Sequence, residues 1–491
     1  MRKLHQRQLL ELLETIREAQ KLDLYADCQE GTQAMIEFID QKKGKGTRTV
    51  DLLQEYYDLL NQVHIGEINK DLLRKQLYRI ETSIKIELKP TKYKALFLPY
   101  YDNTWESMRS VYEAFSRDPQ FETEVVIIPI LRNTNEGIKF VWKDYLTPRG
   151  VPNTHYDYYS FEVDRPDIVF YNQPYDGVNI PKFRSKNIRK YTDCMVYIPY
   201  SIKPINAQSQ RYQKAYTELE AIQRCDVFIT QSKSFFDYYL KATLLAKKAL
   251  IHGHPKCDSL YLAKTRKAFI RYPDWEQAIG KRRVIVLNTH YSYMLSGVEP
   301  HPGIEELINL VTKDDDLFLI WRPHPQAFLM KLSKTMKEWL DIAEQHKRMV
   351  LDRTPSMTSA YMYADAIVSL FPSTIVMDAL FLDLPVFVLG RPDIIDTTFD
   401  YNKHPFYRAV SHENFNIAPP EDWADNEAMK SYVEQSIMKP FREFLRAIRD
   451  GENPKSIERA EFRQLQFPNQ DGTVGLKILN TTKERLSEAF C

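Results

Sequence analysis

The chain is poor in glycine and cysteine and carries almost no net charge. Fifteen glycines in 491 residues leave neither GxGxxG nor GxxxxGK[ST] anywhere. Those patterns bring a diphosphate close to backbone N–H groups. Their absence weighs against NAD enzymes and P-loop kinases. A nucleotide remains compatible with a helix amino terminus that has no glycine loop. The five cysteines (Cys28, Cys194, Cys225, Cys257, Cys491) are scattered, with no CxxC pair. That argues against a disulfide framework or a zinc site and for a reducing compartment. The net charge of +1 gives no argument for a nucleic-acid partner. No window approaches the roughly eighteen uncharged apolar residues that a membrane-spanning helix needs. The start, MRKLHQRQLLELLETIREAQ, interrupts its apolar positions with charge and has no small-residue cleavage site. It does not read as a signal peptide. The expected location is the cytoplasm, with peripheral attachment at the inner face of the cell membrane left open.

What is present is a soluble, globular composition, with 43% hydrophobic and 27% charged residues. The length exceeds one ordinary core and predicts two or three domains. Residues 1–92 read as a helical extension, with Leu9, Leu10, Leu13 and Ile16 at helical spacing. No chemistry is visible there; packing on a neighbouring domain or a membrane surface would use such faces. From Tyr93 short β-branched or aromatic runs alternate with helical stretches: YKALFLP, ETEVVIIPI, DIVFYN, CMVYIPYS and DVFITQS. A second set follows: RRVIVLNTH, LFLIWRPHP, MVLDRT, AIVSLFPS and PVFVLG. Alternation at this spacing predicts parallel sheets with helices on both faces. The expected architecture is α/β, a pair of doubly wound, Rossmann-like domains at 93–257 and 282–415. Residues 258–281 read as a linker and 416–491 as C-terminal helices and tail, with a long amphipathic helix over Glu427–Arg449.

The chemistry-bearing groups sit where apolar runs stop. Ligands of such sheets gather outside the carboxyl ends of the strands. Arg322 and His324 end one run between Pro323 and Pro325, which fix the turn. Arginine suits phosphate; histidine suits acid–base work or, when protonated, an anion. Ser373 and Thr374 open a helix, where hydroxyls and free N–H groups suit a diphosphate; simple N-capping explains the same residues. Asp378 stands one turn on, placed for a ribose or polyol hydroxyl, or as a first-turn carboxylate. His290 ends the preceding run and is expected at the same rim. Tyr200, Ser201 and Lys203 end a run of the first domain and are expected to face the cleft from the acceptor side. His252 and His254 form an HxH, but without carboxylates or cysteines in ligand spacing no metal site is expected.

WRPHP, SLFPSTIVMDALFLDLPVFV and HGHPKCDSL resemble the CDP-glycerol glycerophosphotransferases of bacterial teichoic-acid and capsule polymer synthesis, which are GT-B-fold enzymes. The resemblance spans roughly residues 93–400. It covers Arg322–Pro325, then Ser373, Thr374 and Asp378, and the Gly253–Asp258 turn. It implies that His324 neutralises phosphate, that Ser373 and Thr374 hold the diphosphate of a cytidine nucleotide, and that Asp378 lies near its polyol or ribose. The implied reaction is attack by an acceptor hydroxyl on the β-phosphorus of a CDP-polyol. The donor would be a substrate, with no cofactor, and the acceptor lipid-linked or glycan. The family's base is a histidine in an HGTP motif of the first domain. Here the corresponding strand, CMVYIPYSIKP, offers Tyr200–Ser201 and no histidine. His290 is the candidate that replaces it. A nucleotide-sugar glycosyltransferase, a UDP-sugar 2-epimerase-like enzyme and a non-catalytic GT-B scaffold remain alternatives on these residues.

Overall fold

The structure is a computed structural model. It describes the chain apart from residues 65, 67–68, 101, 135–136, 142–149, 204–215, 291–293, 297–299, 325–326, 329–330, 355, 371–372, 391–407, 411–425 and 489–491. Pro325, Phe371 and Pro372 lie outside the described residues.

Residues 1–92 form four helices: α1 (Lys3–Lys21), α2 (Tyr25–Lys43), α3 (Arg48–His64) and α4 (Asp71–Glu87). The i, i+3, i+4 spacing buries Leu9, Leu13 and Ile16 of α1 against Met35, Leu53, Tyr56 and Ile80 of its neighbours, so the extension has its own core. It is anchored to the next domain by polar contacts. Lys3 and Arg7 both pair with Asp193 at 2.9 Å, and Arg2 donates to the Asp164 carbonyl.

The first sheet is parallel, with strands β1 (Tyr93–Leu98), β2 (Phe121–Val125), β5 (Ile168–Tyr171), β6 (Cys194–Tyr197), β7 (Val227–Thr230) and β8 (Ala249–Ile251) in the order β2-β1-β5-β6-β7-β8. A hairpin, β3 (Ile130–Thr134) and β4 (Gly137–Val141), stands apart from it. The runs are continuous apolar stretches because both faces are covered. Phe97, Phe170 and Val196 face one helical layer; Leu96, Val169 and Met195 face the other.

The second sheet holds β9 (Arg283–Thr289), β10 (Leu317–Pro323), β11 (Met349–Leu351), β12 (Ala366–Ser369) and β13 (Val386–Val388) in the order β11-β10-β9-β12-β13. Leu317, Leu319 and Trp321 pack on the helices Pro302–Lys313 and Lys334–Gln345; Phe318 and Ile320 pack on the opposite layer. Trp321 is wholly buried, yet its indole N–H is satisfied by Thr289 Oγ1 at 3.1 Å.

The stretch read as a linker is helical. Lys256–Arg266 and Pro273–Ile279 are helices, and Cys257, Leu260 and Ile279 pack in the second core. The apolar residues of this stretch are spent on that core. The chain then continues as a helical run over Asn426–Arg449, a helix Ser456–Gln466 and a last helix Val474–Glu488. The last helix returns to the first domain, where Val474, Ile478 and Leu479 join its core. Its first N–H groups are capped by Asp258: Val474 N donates at 3.1 Å and Gly475 N at 2.9 Å. Among the described residues no helix is long and apolar enough to cross a membrane.

The carboxyl end of the first sheet meets the second domain. Ile202, just past β6, is buried in the second core. Ser232, just past β7, donates to Gln466 Oε1 at 3.2 Å.

Candidate functional site

In an open parallel sheet the crevice forms where strand order reverses, because neighbouring crossovers leave on opposite faces there. In the second sheet the reversal falls between β9 and β12. His290 follows β9, and Ser373 precedes the helix Thr374–Phe381 that follows β12. His324 follows β10, the other neighbour of β9, and its backbone N–H donates to Thr289 O at 2.9 Å. The two imidazoles consequently stand together, with ring centroids 5.4 Å apart. Both are half-buried. Burial holds the His290 pKa below the ordinary histidine range, so that ring is neutral near pH 7.

Ser373 has the extended backbone of an N-cap (φ −129°, ψ 179°), but its side chain does not cap. Its Oγ is buried and has no hydrogen-bond partner among the described residues. A buried hydroxyl that forgoes the bond its position invites has lost about 1–3 kcal/mol of desolvation unless another group supplies a partner. Thr374 is partly exposed beside it. This hydroxyl and the two histidines belong to the segments at the carboxyl ends of β12, β9 and β10, around the reversal point.

Two of the expected phosphate or polyol contacts are occupied elsewhere. Arg322 Nη1 donates to Asp352 at 2.7 Å and to Thr354 at 3.1 Å, and the pair is buried. Its charge is balanced inside the protein by Asp352. Asp378 is fully buried, because one turn into this helix is the face turned to the core. Its Oδ2 accepts from Lys256 Nζ and, at 2.9 Å, from Tyr361 OH. Desolvation raises its pKa above the usual carboxylate range, against the pull of Lys256. Oδ2 is thus held at the interdomain hinge, while Oδ1 has no hydrogen-bond partner among the described residues.

On the first domain, Ser201 is buried. The Lys203 ammonium lies 4.4 Å from the Tyr200 ring centroid and within 3.3 Å of its hydroxyl. Gln231 clasps the Lys203 backbone, accepting from its N–H at 2.8 Å and donating to its carbonyl at 2.7 Å. These residues form a tight, internally paired turn after β6.

The HxH histidines are structural. His254 is fully buried; its Nδ1 accepts from Lys256 N at 3.2 Å, so Nε2 carries the proton and donates to Pro199 O at 2.8 Å. Desolvation pulls its pKa down to about 3. His252 bonds Thr481 of the last helix at 2.9 Å. No group of three metal-ligating side chains occurs among the described residues.

Sequence reading did not single out Asn172, Glu106, Lys256 or Tyr361. Asn172 could have been found by the signal that found His324: it is the polar residue closing an apolar run, DIVFYN. Lys256 and Tyr361 gave no such signal, since they lie far in sequence from Asp378.

Two tandem parallel-sheet domains with a C-terminal helix returning to the first make this a GT-B-like α/β protein. No family model and no curated protein matches the chain. Solved structures do. A putative UDP-N-acetylglucosamine 2-epimerase from Listeria monocytogenes aligns at 14% identity and TM-score 0.51, over 81% of this chain and 97% of that one. The MnaA protein of S. aureus with UDP aligns at 11% identity and TM-score 0.51, over 80% and 97%. The wall teichoic acid polymerase TagF overlays less closely, at 12% identity and TM-score 0.46, over 90% and 98%. At these identities the likeness to the first two establishes the fold alone.

Proposed function

We propose that the chain is a GT-B-type transferase that binds a nucleoside-diphosphate donor at the β9/β12 reversal and moves a polyol phosphate to a hydroxyl acceptor. The observation that supports this is the pairing of His290 and His324 at neighbouring strand ends, 5.4 Å apart, on the sheet whose β12 leads into the Ser373 helix. The cytidine nucleotide and the polyol rest on the RPHP and Ser-Thr motifs of the sequence.

In this reading the Ser373–Thr374 helix end and His324 receive the diphosphate, where fixed donors stabilise charge as the bond to the leaving group lengthens. Neutral His290 takes the proton of the attacking hydroxyl. The acceptor oxygen bonds to the β-phosphorus, the bridging P–O bond breaks, and CMP leaves. Arg322 holds Asp352 and the strand ends in register; it acts on the crevice only through their position.

The test is turnover of CDP-glycerol and CDP-ribitol, followed by CMP release with and without a hydroxyl acceptor. CMP release that depends on acceptor and falls at least about a hundredfold in His290→Ala supports the assignment. Near-normal turnover in that variant removes His290 as the base. A second reading, chemistry on a nucleotide sugar, is supported by the overlay on a putative UDP-N-acetylglucosamine 2-epimerase at TM-score 0.51. UDP-sugar consumption with no CDP-polyol turnover would select it.

A further inference from the structure

The first sheet has its own reversal point, between β1 and β5, and nothing above assigns it a ligand. Asn172 is the residue immediately past β5, and it is completely buried. Its Nδ2 donates to the Thr104 carbonyl at 3.3 Å and to Ser107 Oγ at 3.1 Å. A carbonyl only accepts, so the amide cannot be turned over. That fixes Oδ1 on the other side, and Oδ1 has no partner among the described residues. A buried amide oxygen held in one orientation and left unsatisfied calls for a hydrogen-bond donor.

Its surroundings place it at the interdomain cleft. Thr104 and Ser107 belong to the segment that follows β1, and Ser110 of that segment donates to Pro255 O at the hinge. Glu106, between them, is largely buried and pairs with Arg109 at 2.5 Å. Gln173, next along, is buried as well. The wall is therefore polar, with an accepting amide and a carboxylate. An ionised phosphate is acceptor-only and would offer no donor to Oδ1. A neutral hydroxyl-bearing carbon chain supplies what is missing.

We infer that the β1/β5 reversal is a hydroxyl-binding subsite, with Asn172 Oδ1 as its specificity-determining acceptor and a neutral polyol as its ligand class. As the place of the acceptor hydroxyl it rests on the proposed transfer reaction; as a binding site it stands on the first domain alone. It moves the acceptor side from the paired turn at Tyr200–Lys203 to the β1 and β5 strand ends.

The experiment is saturation-transfer NMR on the full chain with glycerol and ribitol as probes. It compares wild type, Asn172→Ala and Glu106→Gln, with melting in the presence of CDP and UDP recorded in parallel. Saturation transfer to the carbinol protons in wild type, reduced about tenfold in Asn172→Ala, is expected, since one buried hydrogen bond is worth about that factor. Glu106→Gln keeps shape and fold while removing the charge, and is expected to weaken the signal and to let glycerol 3-phosphate compete. Equal transfer in wild type and Asn172→Ala overturns the inference. So does transfer that is unchanged in Glu106→Gln when Asn172→Ala fails to fold. Polyol binding without any nucleotide response would refute the proposed function and leave this subsite standing; nucleotide response without polyol binding would do the reverse.

Discussion

Breaking the Lys256–Asp378 pair tests whether Asp378 is a hinge residue or a ligand contact. Asp378 is fully buried and Lys256 mostly so, with side-chain exposures of 0% and 19%. The Lys256→Met variant leaves a carboxylate in the core with Tyr361 as its remaining partner. Removing one member of a buried pair costs about 3–5 kcal/mol, because the other charge stays desolvated. Lys256 can reach water by its exposed edge, so Asp378→Asn is expected to cost less, about 1–2 kcal/mol. The pH dependence adds a sign. In Lys256→Met the Asp378 pKa rises further above its unfolded value, so the folded state holds a proton that the unfolded chain has released. Its stability is retained in acid and lost as pH climbs through the raised pKa. Urea unfolding of the two variants and of Lys256→Met/Asp378→Leu, at pH 5.5 and 8, measures this. The double variant is expected to be more stable than Lys256→Met. A Lys256→Met cost below about 1 kcal/mol would refute the buried-pair argument. So would an Asp378→Asn protein of unchanged stability that has lost its nucleotide affinity, since that result would restore Asp378 to the ligand.

Other outcomes follow from single groups. His254 stays neutral to about pH 3 when folded. Below its ordinary pKa the unfolded chain binds a proton that the folded chain refuses, so stability falls toward acid by up to about 1.4 kcal/mol per pH unit. His254→Asn should flatten the slope of unfolding free energy against pH between 6 and 4. At Gly475 a Cβ would stand 2.2 Å from the Ser110 carbonyl oxygen. Gly475→Ala should therefore lower stability by about 1–3 kcal/mol or more by chemical denaturation. With its pKa lowered by burial, His290 stays deprotonated into mild acid. The acid limb of kcat/KM for CDP-polyol turnover should lie below pH 6.5, and an acid limb above that value would exclude His290 as the titrating base.

Much of the fold was legible because both sheets are buried on two faces. LFLIW, VIVLN and AIVS read as strands on apolar continuity alone, and all ten such runs are strands. β8 was missed: it is three residues long and only half-buried, so its run is neither long nor strongly apolar. The hinge helices at Lys256–Arg266 and Pro273–Ile279 were read as linker because charged residues and Tyr272-Pro273 mask the few positions that reach the core.

The site was legible at strand ends and illegible where a partner comes from another part of the chain. His290 and His324 were placed together because each closes a neighbouring run, and they stand together. Asp378 carried a plausible pattern, but the pattern cannot say which side of the helix meets Lys256, 122 residues away. Arg322 likewise looked like a free cation at a strand end until Asp352, past β11, closed on it. Asn172 was as visible as His324 and lacked only a charge to draw attention to it.

The central claim is that the β9/β12 reversal binds a nucleoside diphosphate through the Ser373 helix end. Thermal unfolding with CDP, CMP, UDP, UMP, GDP and ADP, for wild type and Ser373→Ala/Thr374→Ala, tests it most directly. Ligand at a hundred times its dissociation constant stabilises by about 2.7 kcal/mol. A cytidine-selective rise in melting temperature is expected, and the double variant loses it while its own melting without nucleotide is little changed. A chain whose melting no nucleotide alters, or a double variant that keeps the full shift, would contradict it.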